Sequence, residues 1–135
     1  MNKPTLCVDF DGVVHSYNTP WTNPETISDG PVPGALRWLW KATEWFQVVI
    51  YSSRSKTEGG IDAMHNWLRS ESIKEFGEGH PMSTMSMDRT SYPLTFANEK
   101  PAAFLTIDDR AITFDGDWSA LNPTELLHFK PWNKR

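Results

Sequence analysis

Cysteine is almost missing from this chain: 135 residues contain one, Cys7. A single thiol excludes an internal disulfide framework. Its place in an apolar run marks it as a small buried residue of a reducing compartment. Long hydrophobic runs are missing too, so no segment spans a bilayer and no membrane partner is expected. Met1-Asn2-Lys3-Pro4 lacks the apolar core of a signal peptide, and the location that follows is cytoplasmic. Positive charge is short as well. A net charge of −4 argues against a broad basic surface for nucleic acid and leaves room only for a local patch. The basic end, Lys130 to Arg135, reads as a solvated tail. No His or Cys grouping has zinc spacing, and there is no G-K-[ST] phosphate loop.

What is present describes one folded domain over residues 1–135, with 39% hydrophobic and 22% charged residues and neither internal repeat nor linker. Thr5 to Phe10 (TLCVDF) is a short apolar run closed by Asp11-Gly12, the pattern of a buried strand. Residues 15–31, with Pro20, Pro24, Gly30 and Pro31, read as a loop. A helix is predicted from Pro33, with Leu36, Leu39, Trp40 and Thr43 on one face. Gln47 to Tyr51 is a second buried strand, ending at Ser52-Ser53-Arg54. Gly59-Gly60 reads as a break before an amphipathic helix marked by Ile61, Met64, His65 and Leu68. Residues 77–93 read as loop. Leu94 to Ala97, Ala103 to Ile107 and Ile112 to Phe114 are further strand candidates. Trp40 and Trp67 are read as packing residues.

Strands alternating with helices imply a parallel α/β sheet, whose ligands sit beyond the carboxyl ends of the strands. Asp9 with Asp11, Ser52, and Asp108 with Asp109 each close an apolar strand, which suggests one converged site. Asp9 and Asp11 are expected to leave an extended segment on the same side. Clustered carboxylates repel one another, so a compact acidic site calls for a cation, and an all-oxygen set suits Mg²⁺. A carboxylate can accept a phosphoryl group, with Ser52 and Lys100 as hydroxyl donor and fixed positive charge. Ser53 and Arg54 beyond the second strand, and His15 after the first, are the candidate substrate contacts. For Arg54 a structural ion pair is the competing reading, and for His15 a solvated loop position.

Four tracts carry a family likeness: Val8-Asp9-Phe10-Asp11-Gly12, Val49-Ile50-Tyr51-Ser52, Glu99-Lys100-Pro101 and Leu105-Thr106-Ile107-Asp108-Asp109. In kind and order they resemble the four motifs of the haloacid dehalogenase-like hydrolases, and the resemblance covers nearly the whole chain. It implies a Rossmann-like three-layer α/β/α fold around a parallel sheet. It also implies Mg²⁺-dependent phosphomonoester hydrolysis of a small phosphorylated substrate, through an aspartyl-phosphate. Asp9 resembles the family's nucleophile and metal ligand. Asp11 resembles its general acid/base, with a backbone carbonyl on the metal. Ser52 and Lys100 resemble its phosphate-binding pair, and Asp109, with Asp108 beside it, its remaining metal ligands. The tract Ile107-Asp108-Asp109-Arg110 is similar to that of the family's deoxyribonucleotidases.

Three other readings compete. A receiver domain also gathers acids, a hydroxyl and a lysine at strand ends, but its acidic pair comes first along the chain. A phosphate-binding module on an inactive hydrolase scaffold would lack Asp9 or Asp11. A phosphatase of nucleic-acid ends is disfavoured by the acidic balance but permitted by an open site. The gaps at residues 15–32 and 53–99 are too small for an independent cap with its own core. The site is therefore expected to be open and shaped by residues 15–32 and 77–93.

Overall fold

The structure, a computed structural model, describes residues 2–84 and 91–134. Four short apolar segments form one sheet: β1 (Thr5–Val8), β2 (Gln47–Ile50), β3 (Thr95–Phe96) and β4 (Leu105–Ile107). Every pairing is parallel, in the order β3-β2-β1-β4, which makes this an α/β fold. The chain runs outward from β1 through β2 to β3, then returns to place β4 on the other side of β1. The order therefore reverses between β1 and β4, and a crevice opens at their carboxyl ends. Asp9 follows β1 and Asp108 follows β4.

Two helices cover one face. α1 (Ala35–Ala42) buries Leu36, Leu39 and Ala42, and α2 (Glu58–Phe76) buries Ile61, Met64, His65 and Leu68. The apolar side chains among these pack with Leu6, Val8, Val48 and Ile50 in a single core, while the His65 ring lies against Tyr92 and Phe96. The register pairs Leu6 with Val48 and Val8 with Ile50, so all four point to the same side of the sheet. Cys7, Val49 and Thr106 alternate to the other side. Among the described residues no helical layer covers that side, because α3 (Pro123–Leu126) is four residues long and has no buried side chain. Cys7 and Val49 are nonetheless buried on that side.

Other expectations are corrected locally. Gly59 and Gly60 do not break the chain; they lie in the first turn of α2, where the Thr57 hydroxyl accepts the Gly60 amide at 3.1 Å. Glycine is needed at 60 for close approach, since a Cβ there would stand 1.9 Å from the Arg54 carbonyl oxygen. Ile112 to Phe114 is not a strand, and β4 remains the edge of the sheet. The basic tail is not free in solvent: Trp132 donates through Nε1 to the Gly12 carbonyl at 2.7 Å, and Asn133 donates to the Ser16 carbonyl at 3.2 Å. Of the expected loop at 77–93, residues 85–90 lie outside the described residues; residues 81–83 form a 3₁₀ turn. The rest of the 53–99 gap is taken by a second 3₁₀ turn, α2 and β3, and no separate lid is folded from the described residues. Among these, no helix is long and apolar enough to cross a membrane.

Candidate active site

β1 ends at Val8, but its ladder reaches one residue further, where the Asp9 amide donates to the Ile107 carbonyl at 2.9 Å. This bond fixes Asp9 beside the end of β4. Phe10 then turns inward, fully buried, with its ring against Trp67. Its carbonyl accepts the amides of Val13, Val14 and His15. Asp11 therefore stands in a tight turn and not on the extended strand from which its direction was expected. Both residues border the cleft, but their carboxylates keep different company.

The Asp9 carboxylate meets Asp108 and Asp109; one oxygen from each lies within 4.8 Å of the others. Burial, followed by the nearby Asp108 and Asp109, pushes the Asp9 carboxyl up to about 8 against an opposing backbone hydrogen bond. Such a cluster favours either a shared proton or a cation. Three carboxylates without nitrogen or sulfur donors fit a hard ion, and Mg²⁺ suits this set. Gly12 makes the cluster sterically possible. It has φ +81°, and a Cβ there would fall 2.3 Å from Asp109 Oδ2. Asp108 is the more exposed of the pair, and its Oδ1 accepts the Arg110 amide at 2.8 Å.

Asp11 is held by two buried partners. Arg54 donates through Nε to Oδ2 at 2.9 Å and to Oδ1 at 3.2 Å. His15 lies 2.8 Å from Oδ1 through Nδ1. The Asp29 amide donates to His15 Nε2 at 3.1 Å, so the proton of the neutral ring sits on Nδ1 and points at Asp11. Burial alone would raise the Asp11 carboxyl. The hydrogen bonds from His15 and Arg54, with the Arg54 charge, outweigh it and hold the group below its ordinary value. The structure thus places His15 and Arg54, expected as substrate contacts, on Asp11 instead of on the cleft wall. Both are almost fully buried behind Asp11 and neither lines the cleft. For Arg54 the ion-pair reading holds, and its Nη1 also donates to the carbonyls of Asn23, Pro24 and Thr26.

Ser52 caps the 3₁₀ turn Ser53–Lys56. Its hydroxyl accepts the Arg54 amide at 3.2 Å while Ser55 Oγ accepts the Ser52 amide at 3.1 Å. A hydroxyl that accepts still has its proton to give. Ser52 and Ser53, with Asp9, divide the cleft into two lobes of about 290 Å³ each. One lobe has Lys56, Lys100, Tyr51 and Asp108 on its walls. The other has Asp11, Asp109, Arg110, Tyr17 and Trp21. The structure thus brings Asp9, Asp11, Ser52, Ser53, Lys100, Asp108 and Asp109 to one cleft.

Sequence reasoning missed Lys56, Tyr17 and Trp21 as cleft residues. A signal for the last existed: a lone tryptophan in a polar, proline-rich loop has no core to pack into. Tyr17 carries a second, visible only in the backbone. Its φ of +56° is left-handed, which costs a residue with a Cβ on the order of 1–2 kcal/mol.

Comparison of the chain with protein-family models, curated proteins and solved structures finds no match.

Proposed function

We propose that this chain is a Mg²⁺-dependent phosphomonoesterase of the haloacid dehalogenase-like type that works through a phosphoryl group carried on Asp9. One observation carries the reading: Asp9, Asp108 and Asp109 converge within 4.8 Å where the strand order reverses, in a cleft also walled by Ser52 and Lys100. A small phosphorylated substrate in a cytoplasmic setting belongs to the same proposal. Asp9, Asp108 and Asp109 would hold Mg²⁺, which when bound offsets the repulsion between carboxylate and phosphate.

The chain's own residues then divide the work. An Asp9 carboxylate oxygen forms a bond to phosphorus as the bond to the ester oxygen breaks. The Ser52 hydroxyl and the Lys100 ammonium donate to the phosphoryl oxygens as charge builds on them. The departing oxygen takes a proton from Asp11 or from solvent. In the second half Asp11 accepts a proton from water, the water oxygen bonds to phosphorus, and the Asp9–phosphorus bond breaks to release phosphate. The contacts of Arg54 and His15 suit Asp11 to that second half, since they favour its ionised form. Esters whose leaving oxygen needs no proton use the site as it stands.

The test is hydrolysis of a panel of phosphate monoesters with Mg²⁺ and with a chelator. Activity is expected only with the metal, and Asp9→Asn is expected to lower turnover by roughly 10³-fold or more while the protein stays folded. Metal-independent hydrolysis, or an active Asp9→Asn protein, would refute the mechanism. A phospho-aspartate that lasts for minutes in the unaltered protein would favour signalling over hydrolysis.

A further inference from the structure

The two lobes of the cleft differ in kind, and the difference bears on the substrate. The lysine lobe offers point charges to a phosphoryl group. The other lobe combines two aromatic rings, Tyr17 and Trp21, with Arg110, on the side where Asp11 would meet the departing oxygen. Trp21 is 43% exposed, yet it is not loose. One face of its ring lies against the Arg54 guanidinium, with Cζ 4.5 Å from the ring centroid, and Arg54 is itself fixed by Asp11 and three loop carbonyls. A tryptophan backed by an immobile cation, with open surface at a cleft, is a ready stacking platform.

The geometry points to a nucleobase as the partner of this platform. The phosphate monoester would be that of a nucleoside, with its base stacked on Trp21 beside Tyr17. This rests on the phosphatase reading and names the substrate class for it. Every nucleobase presents a π-face to an aromatic ring, and its edge and sugar carry acceptors for the Arg110 guanidinium and the Tyr17 hydroxyl. A plain phenyl ring would use the stacking surface and leave those polar groups idle. The same chemistry is offered by a free nucleotide and by the phosphorylated end of a short strand.

The experiment compares kcat/KM, with Mg²⁺, for a nucleoside 5′-monophosphate, a 5′-phosphorylated tetranucleotide, ribose 5-phosphate and phenyl phosphate, in the unaltered protein, Trp21→Ala and Trp21→Phe. A nucleotide preference over ribose 5-phosphate of roughly tenfold or more is expected, the scale of one base on one aromatic side chain. Trp21→Ala should collapse that ratio, mainly through KM, and Trp21→Phe should retain most of it. Thermal melting of each variant separates a lost platform from a lost fold. Equal use of nucleotide and ribose 5-phosphate, a preference that survives Trp21→Ala, or phenyl phosphate as the best ester would overturn the inference and leave the phosphatase reading standing. Hydrolysis of none of the four would overturn both. Use of the tetranucleotide as well as the mononucleotide keeps the stacking assignment and places its source at a strand end.

Discussion

Asp9 and Asp11 stand two positions apart and are pulled in opposite directions. Burial and neighbouring acids raise Asp9 to about 8, whereas His15 and Arg54 win over burial at Asp11 and lower it. The raised group has a consequence for stability. In the unfolded chain Asp9 ionises near its ordinary value of 3.8, so the metal-free fold should lose stability as pH rises from about 4 to about 8. Asn at this position never ionises. Asp9→Asn should therefore match the unaltered protein below pH 4 and become the more stable of the two toward pH 8, as followed by thermal melts in chelator. A constant difference across that range would contradict the burial argument. The acidic pair makes a second test. Both acids border the cleft, but Asp109 packs against Gly12, whereas Asp108 is exposed and partly used by the Arg110 amide. Asp109→Ala should raise the Mg²⁺ concentration needed for half-maximal activity more than Asp108→Ala does. The reverse order would exchange their roles.

The loop after β1 takes its shape from one cation. Arg54 reaches across from the end of β2 and gathers the carbonyls of Asn23, Pro24 and Thr26 around its guanidinium. Asp29 closes the other side through Thr19 and through Trp67, whose Nε1 donates to the Asp29 carbonyl at 2.9 Å. Arg54→Met should leave three carbonyls without this donor and the Asp11 carboxylate with His15 as its remaining partner. A loss of about 3–5 kcal/mol in denaturant unfolding is expected, the usual result of breaking a buried pair from one side; a loss under about 1 kcal/mol would mean that the loop stands without it. Such an arrangement was hardly legible beforehand. Strand ends are readable because an apolar run stops at a polar residue, and Asp9, Ser52 and Asp108 were placed that way. The partners of Arg54 are backbone carbonyls, and a sequence does not say which carbonyls turn inward. The D-x-D spacing brought both acids to the cleft, but by a turn and not by strand alternation, since β1 stops at Val8. The glycine pair misled because close approach, as of Gly60 to Arg54, and chain breaking call for the same residue type.

At the scale of the molecule, the parallel sheet was legible from its apolar runs, but the shortness of the helix after β4 was not. A second helical layer needs an apolar period after β4, and residues 111–130 supply a 3₁₀ turn at Trp118–Ala120 and the four-residue α3, with Phe114, Trp118 and Leu127 exposed. β4 is consequently an edge strand, while β1 has partners on both sides. The candidate metal site therefore joins unlike neighbours, with Asp9 on the interior strand and Asp108 and Asp109 on the border. Local opening follows such differences, and an outer strand gives up its amide protons sooner than an inner one. In metal-free protein the amides of β4 should exchange with deuterated water faster than those of β1. Mg²⁺ should slow β4 by a larger factor than β1, because one ion would clasp the border to the interior. Equal slowing of both strands would place the ion elsewhere. The same asymmetry gives the cation a second office: besides easing phosphate onto a carboxylate, it would act as a rivet on a seam that the backbone closes from one side only.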